Sequence, residues 1–395
     1  MSSRKNFRRT VLLGTSLLLV GISCSRQQIP ETGVTRVIGP DGVTEVVSHA
    51  PEPLPAPWRF ERDLVIGVEY GDEEDMLRNP AAFAVLEDGT HVILDASPSQ
   101  IRIYDAEGQN VSEFGQPGDG PNDLPRTVYW CYLAPTGEDQ FFTWNRYGTH
   151  RLQHWDTSGA LIRITTIDHQ HPLTRPAIID GWDGTHYFGR QLRERLPDSF
   201  NPFDLISTDL EGTHIDTLWF FDNSRIPIAC GMIEAETGLR IMSDPLITSD
   251  GRICVGAMYE DWVHVIDQES GRETLRFRWE NVAAVIPDTL ITHYRGQIAS
   301  GQDMEAGARW LYENLSVVQL IEGVNGEIWV QRSPQVESDG TWIVDVFDRD
   351  GEYRGRLRVP DLPARMKPYG EHMYGIGLNG EAPALIRYRL ISEVR

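Results

Sequence analysis

The sequence predicts an all-β fold, a six-bladed β-propeller built of four-stranded blades. Three observations predict it. Short apolar runs are punctuated by Asp-Gly and Asn-Gly turns, and helical periods are few. One unit recurs along the chain: strand, tight turn ending in Gly, strand, then a third strand ending in Asp. A further Gly, three or four places after that Asp, leads into a fourth strand. Finally, the last unit lacks an outer strand, and an unpartnered strand candidate precedes the first unit.

The chain opens with a segment that stands apart from the fold. Arg4, Lys5, Arg8 and Arg9 form a basic stretch ahead of a largely apolar run, Val11 to Ile22. That pattern reads as a secretory signal over residues 1–23, too short to span a bilayer comfortably. Small Ser23 before Cys24 resembles a lipobox, although Gly21 stands where lipoproteins usually carry Leu or Val. The resemblance implies diacylation of Cys24, and Ser25 after it implies the outer membrane. Residues 24–57 are then a lipidated N-terminus and tether, stiffened by Pro51, Pro53, Pro55 and Pro57. Within it, runs beginning at Thr35 and Val43 flank Pro40-Asp41-Gly42 and read as strand, turn and strand.

Composition narrows the function classes. Without the four basic residues of the signal, 32 basic face 58 acidic residues, a net charge near −26. Such a surface repels nucleic acid and anionic lipid, so neither is an expected partner. Membrane attachment falls to the lipid, and the expected partner is a ligand or an envelope protein. The chain is read as a monomer. Besides Cys24 there are Cys131, Cys230 and Cys254, an odd set that is no disulfide framework. A Cys230–Cys254 bridge and buried free thiols are the two alternatives.

Residues 58–395 form the propeller. The first unit runs Ala82–Leu86, turn Asp88-Gly89, His91–Ala96, Gln100–Asp105, Gly108, Val111–Phe114. The second turns at Thr136-Gly137 and has Asp156 and Gly159. The third has Asp183-Gly184, Asp209 and Gly212, and the fourth Asp250-Gly251, Asp267 and Gly271. The fifth has Asn325-Gly326, Asp348 and Gly351. Asn/Asp-Gly supplies the positive φ of two-residue hairpins. The Asp before the outer turn is placed to accept from its own backbone two residues on. The sixth unit, Glu371–Leu378 and Ala384–Leu390, ends early, and Trp58–Ile66 is expected to complete it. Closure hides strand edges that an open ring would expose.

Gln100-Ile-Arg-Ile-Tyr-Asp-Ala-Glu-Gly-Gln109 and Glu113-Phe-Gly-Gln-Pro-Gly-Asp-Gly-Pro-Asn-Asp123 resemble the blade signature of NHL-like six-bladed propellers. With the tether and the Ile328-Trp329-Val330 strand, the chain from about residue 35 to 395 is similar to six-bladed propeller lipoproteins of the bacterial cell envelope. The resemblance implies fold. It implies no reaction, because that family has no shared one.

The two ends of such a propeller differ in this sequence. First-to-second and third-to-fourth connections are short throughout. The long segments 115–126, 193–202, 221–244, 283–315 and 333–340 all fall on the opposite end, where insertions usually mark a binding face. A helical insert is expected at about 287–315, between units four and five. Leu290, Tyr294 and Ile298 recur at helical spacing, as do Met304, Ala308, Leu311, Tyr312 and Leu315. Gly301 is placed to end the first helix and Asp303 to cap the second. The insert reads equally as a lid or as rim packing.

Arginines recur at the loop-rich mouth. Arg78, Arg126, Arg175 and Arg365 each precede an inner strand, and Arg146, Arg190 and Arg332 lie near the ends of second strands. In an acidic protein they would focus an anion-attracting field; alternatively each pairs with a nearby acid such as Asp119 or Asp123. Asp168-His169-Gln170-His171 is a weak metal motif, more simply a solvated loop. The tryptophans, among them Trp155, Trp219, Trp262, Trp329 and Trp342, read as core between units. No catalytic, cofactor or phosphate-cradling motif is present, so no catalytic residue, metal or cofactor is assigned. The leading expectation is a binding or scaffold protein using the loop-rich face. The alternative is a lactonase- or lyase-type propeller enzyme with a channel metal held by residues such as Asn79, Asn145, Asp244 and Asn314.

Overall fold

The computed structural model describes residues 33–49, 58–124, 131–145, 151–166, 181–182, 185–191, 203–209, 215–221, 245–256, 262–280, 298–299, 302–303, 317–332, 341–360 and 364–392. It is an all-β structure whose described helical content is one short 3₁₀ turn, Glu73–Asp75. Among the described residues no helix is long and apolar enough to cross a membrane.

The repeat units form separate antiparallel meanders. The first is a four-stranded sheet of Pro80–Val85, His91–Asp95, Gln100–Tyr104 and Asn110–Phe114 in sequence order. The second (Cys131–Pro135 to Leu161–Thr166), third (Gly181–Trp182 to Ile215–Phe221) and fifth (Val317–Glu322 to Tyr353–Pro360) repeat that order. In the sixth, Ala364–Tyr369, His372–Asn379 and Ala382–Ser392 are joined by Trp58–Ile66, antiparallel, with Ile66 opposite Leu385 and Trp58 opposite Ser392. The N-terminal strand therefore completes the last sheet, as the truncated sixth unit predicts.

Turn chemistry follows the sequence pattern. Asp105 Oδ1 accepts from the N–H groups of Glu107 (3.1 Å) and Gln109 (2.8 Å). Asp156 does the same for Ser158 and Ala160, and Asp348 for Asp350 and Glu352. The glycine of this turn has a second duty. Gly159 has φ +85°, and a Cβ there would lie 2.8 Å from the Phe114 ring of the preceding unit. Gly351 stands likewise at φ +79° against Phe277. The residue must reach left-handed backbone and let a neighbouring aromatic close over it.

The core is a series of apolar seams between neighbouring sheets. Ile103, Leu133, Phe141 and Trp155 join the first and second units. Phe142, Trp144 and Ile206 join the second and third, and Leu205, Ile247 and Ile253 the third and fourth. Phe277, Trp279, Ile328 and Tyr353 join the fourth and fifth, while Trp329, Val346, Met373 and Tyr388 join the fifth and sixth. Ile66, Phe83, Tyr374 and Leu385 join the sixth to the first. Trp155 and Trp329 are buried in these seams, as expected of core tryptophans. Cys254 is a free, buried thiol, and burial pushes its pKa up to about 12.

Two features depart from the sequence reading. Gly33–Ile38 and Thr44–His49 form a hairpin, but it is not free tether. Thr44–His49 pairs parallel with Arg272–Trp279, so the fourth sheet has six strands. Val46 is the reason: it is fully buried in the seam between the fourth and fifth units. The helical reading of the insert also changes where it is described. Ile298–Ala299 pairs antiparallel with Gln302–Asp303, so Ile298 and Asp303 lie in short strands and not in helices. In sequence, a glycine such as Gly301 suits a tight turn as well as a helix end, so it does not by itself choose between them. The rest of 287–315 lies outside the described residues.

Candidate functional site

The loop-rich end is built most fully at the first unit. Gln100–Tyr104 alternates faces, which places Arg102 on the face of Tyr104, opposite Ile101 and Ile103, in a strand buried on both faces. Arg102 is buried, and its Nη1 donates to the carbonyls of Glu73 (3.0 Å), Glu74 (3.1 Å) and Met76 (3.1 Å). The Tyr104 hydroxyl donates to Glu74 O at 3.1 Å. These bonds clamp the turn that leads into the first inner strand. Asp95, fully buried at the end of the second strand, takes up the next residues. Its two carboxylate oxygens accept the N–H groups of Arg78 (3.0 Å) and Asn79 (2.7 Å). Arg102 Nε lies 3.9 Å from Asp95 and 3.9 Å from Glu113, so the buried carboxylate has a cation beside it. A buried charge needs such a partner.

Segment 115–124 forms a second ordered element there. Gly118 N–H donates to Leu124 O (2.9 Å), and Leu124 N–H to Gln116 O (2.8 Å). Asp123 accepts from Gly120 N–H and from Gln116 Nε2. Gln153, buried in the second unit, donates to the carbonyls of Pro121 (2.9 Å) and Asp123 (3.1 Å). The loop is thus held from the next sheet.

The structure separates the candidate arginines. Arg78 has an exposed side chain paired with Glu73 at 2.8 Å, the acid-pairing alternative. Arg365 behaves differently. It holds φ +58°, left-handed backbone that a side-chain-bearing residue rarely adopts, beside an irregularity between Ala364 and Lys367. Its guanidinium lies 5.4 Å from the ring centre of Tyr132, which itself packs on Trp144 at 6.0 Å. Arg365 comes from the sixth unit and Tyr132 from the second, so this contact passes the first inner strand and joins sheets that are not neighbours in sequence. Arg190 lies in Thr185–Gln191 and Arg332 ends Ile328–Arg332. Arg126, Arg146 and Arg175 lie outside the described residues, as do Cys24, Asp168–His171, Asp244 and Asn314. Asn79 spends its backbone N–H on Asp95 and its carbonyl on Ala96 N–H (2.8 Å). Among the described residues no group of three or more His, Cys, Asp or Glu is arranged to hold a metal ion.

The sequence pattern does not single out Asp95, Arg102, Tyr132 or Gln153. One signal for them exists: Arg102 stands between Ile101 and Ile103 in a short strand buried on both faces, and a charge in that position demands buried acceptors.

No protein-family model matches the chain, and no curated protein matches it. Among solved structures, it is similar to a DUF4221 family member from Bacteroides vulgatus, with a TM-score of 0.58 at 14% identity. That match covers 86% of this chain and 100% of the other. The PQQ-bound aldose sugar dehydrogenase of Streptomyces coelicolor matches with a TM-score of 0.46 at 10% identity, over 86% and 100% of the two chains. Virginiamycin B lyase of Staphylococcus aureus matches with a TM-score of 0.44 at 12% identity, over 85% and 100%. At these identities the likeness speaks to fold alone, and the fold is of the β-propeller type.

Proposed function

We propose that this chain is a six-bladed propeller, lipid-anchored through Cys24 to the cell envelope, and that its loop-rich mouth holds an anionic ligand or envelope partner without transforming it. The observation that carries this reading is one-sided construction. Every long connection falls at one end, and that end holds the Asp95–Arg102 clamp and the strained Arg365 on Tyr132. Six seams, the last between the sixth and first units, support closure into a ring. The basic stretch, apolar run and Ser23-Cys24 support the anchor, with the outer membrane as its place.

Arginine suits this task because its planar guanidinium grips carboxylate or sulfate through two parallel bonds. Arg365 is fixed by its backbone and by the aromatic face beneath it, so little side-chain freedom is lost on binding. Arg126 and Arg175, at the matching place in units two and three, would complete the anion site, and Arg78 is held back by Glu73. The test is thermal. Sulfate or a uronic-acid oligosaccharide should raise the melting temperature at constant ionic strength, and Arg126→Ala with Arg175→Ala should remove the rise. No response of the unmodified protein to either anion would overturn the reading. The anchor has its own test: Cys24→Ser should take up no labelled palmitate and should leave the membrane fraction after a salt wash.

A further inference from the structure

The N-terminal hairpin fixes where the chain enters the folded body. The outer strand of the fourth unit, Arg272–Trp279, starts from the short turn closed by Gly271 N–H on Asp267 O (2.9 Å). It therefore runs from the short-turn end toward the loop-rich end. Thr44–His49 lies parallel to it, with Thr44 opposite Leu275 and Ser48 opposite Trp279. Gly33–Ile38 returns antiparallel, with Gly33 opposite His49. The hairpin's own turn is thus at the short-turn end, and Gly33 is at the loop-rich end.

This placement is held from both sides. Arg276 pairs with Glu45 and with Asp41 (3.2 Å), and His49 pairs with Glu280. Glu280 N–H donates to Ser48 O at 3.1 Å. Across the seam, Arg36 reaches Glu352 of the fifth unit at 3.1 Å, and Tyr353 N–H donates to Ser48 Oγ at 2.9 Å. Buried Val46 adds an apolar lock.

We infer that the loop-rich face is turned toward the membrane that holds the lipid. This rests on the Cys24 anchor proposed above. Cys24 precedes Gly33 by nine residues, which span at most about 30 Å. Were the hairpin free, the leash would run to Trp58, thirty-four residues on, with a reach above about 110 Å. Presenting the short-turn end instead would cost the short leash nearly all its length. It would first have to run back along the eight-residue outer strand, about 26 Å.

Energy transfer tests the orientation. The full lipidated chain, purified from bacterial membranes, is placed in phosphatidylcholine vesicles carrying a rhodamine-labelled lipid. Donors are attached singly, with Cys131 and Cys230 replaced by Ser. Ser97→Cys and Glu381→Cys label the loop-rich end, and Glu107→Cys and Glu371→Cys the short-turn end; all four positions are exposed. Transfer should be higher at 97 than at 107, and higher at 381 than at 371. A 25-residue Gly/Ser insertion between Pro30 and Glu31 should remove both differences. Equal or reversed transfer, with lipid found on Cys24 by mass spectrometry, would overturn the orientation and leave the anchor standing. Absence of lipid on Cys24 with no vesicle binding would sink the anchor, and the orientation with it.

Discussion

At the scale of single residues, the mouth depends on charges that sit inside the protein. Asp95 is fully buried, accepts two backbone N–H groups, and has Arg102 beside it. Asp95→Ala would leave those two backbone donors without their acceptor and the buried guanidinium without one of its two neighbouring carboxylates. Breaking one side of a buried charge pair typically costs about 3–5 kcal/mol, and urea denaturation should show a loss of that size. A loss below about 1 kcal/mol, the scale of a surface pair, would mean that Asp95 does not anchor this segment. His154 gives a pH signature. Burial, then the charge of Arg163, lowers its pKa from 6.5 to about 4. The unfolded chain therefore binds a proton that the native imidazole refuses, so stability falls as pH drops from about 6.5 toward 4. The loss amounts to about 3 kcal/mol for a shift of this size, and His154→Gln should flatten the profile across that window. Burial lowers His91 in the same direction, so some slope should remain. The residue scale was the least legible in sequence. Asp95 and Gln153 look like ordinary strand residues until their partners, which are backbone groups of distant loops, are in place.

At the scale of elements, much was legible, because local chemistry and the fold agree. Asp-turn-Gly units predict where strands stop, and the bonds of Asp105, Asp156 and Asp348 show why. The pairing of Trp58–Ile66 with Ala382–Ser392 followed from a missing strand and a spare one. Docking of the hairpin did not follow, because parallel pairing with the fourth unit leaves no local trace. Its partner contacts are long-range: Val46 in a seam, and Ser48 accepting Tyr353 N–H. The hairpin alters the expected cost of deletion. Removing residues 25–50 uncovers Trp279, which stacks on Tyr353 at 4.8 Å, and should lower the melting temperature while leaving a cooperative fold. Removing 25–66 also strips the outer strand of the sixth unit and should abolish cooperative unfolding. Equal melting temperatures for the two deletions would contradict the strand's role.

At the scale of the whole molecule, apolar seams run from the first unit to the sixth and from the sixth back to the first. The repeat made the separate sheets legible, since the described units share one strand order and apolar seams lie between them. The two ends were also legible, from connection lengths alone. The neighbours of the arginines were not, because position before a strand does not tell that Arg78 meets Glu73 or that Arg365 lies over Tyr132. A density map of the mature chain purified from envelope membranes would show whether an anion sits in the mouth of a six-bladed ring. The expected map has six blades, with the side chains of Arg365, Arg126 and Arg175 converging on non-protein density at the loop-rich mouth. Those three side chains pointing outward, over a mouth holding only solvent, would contradict it.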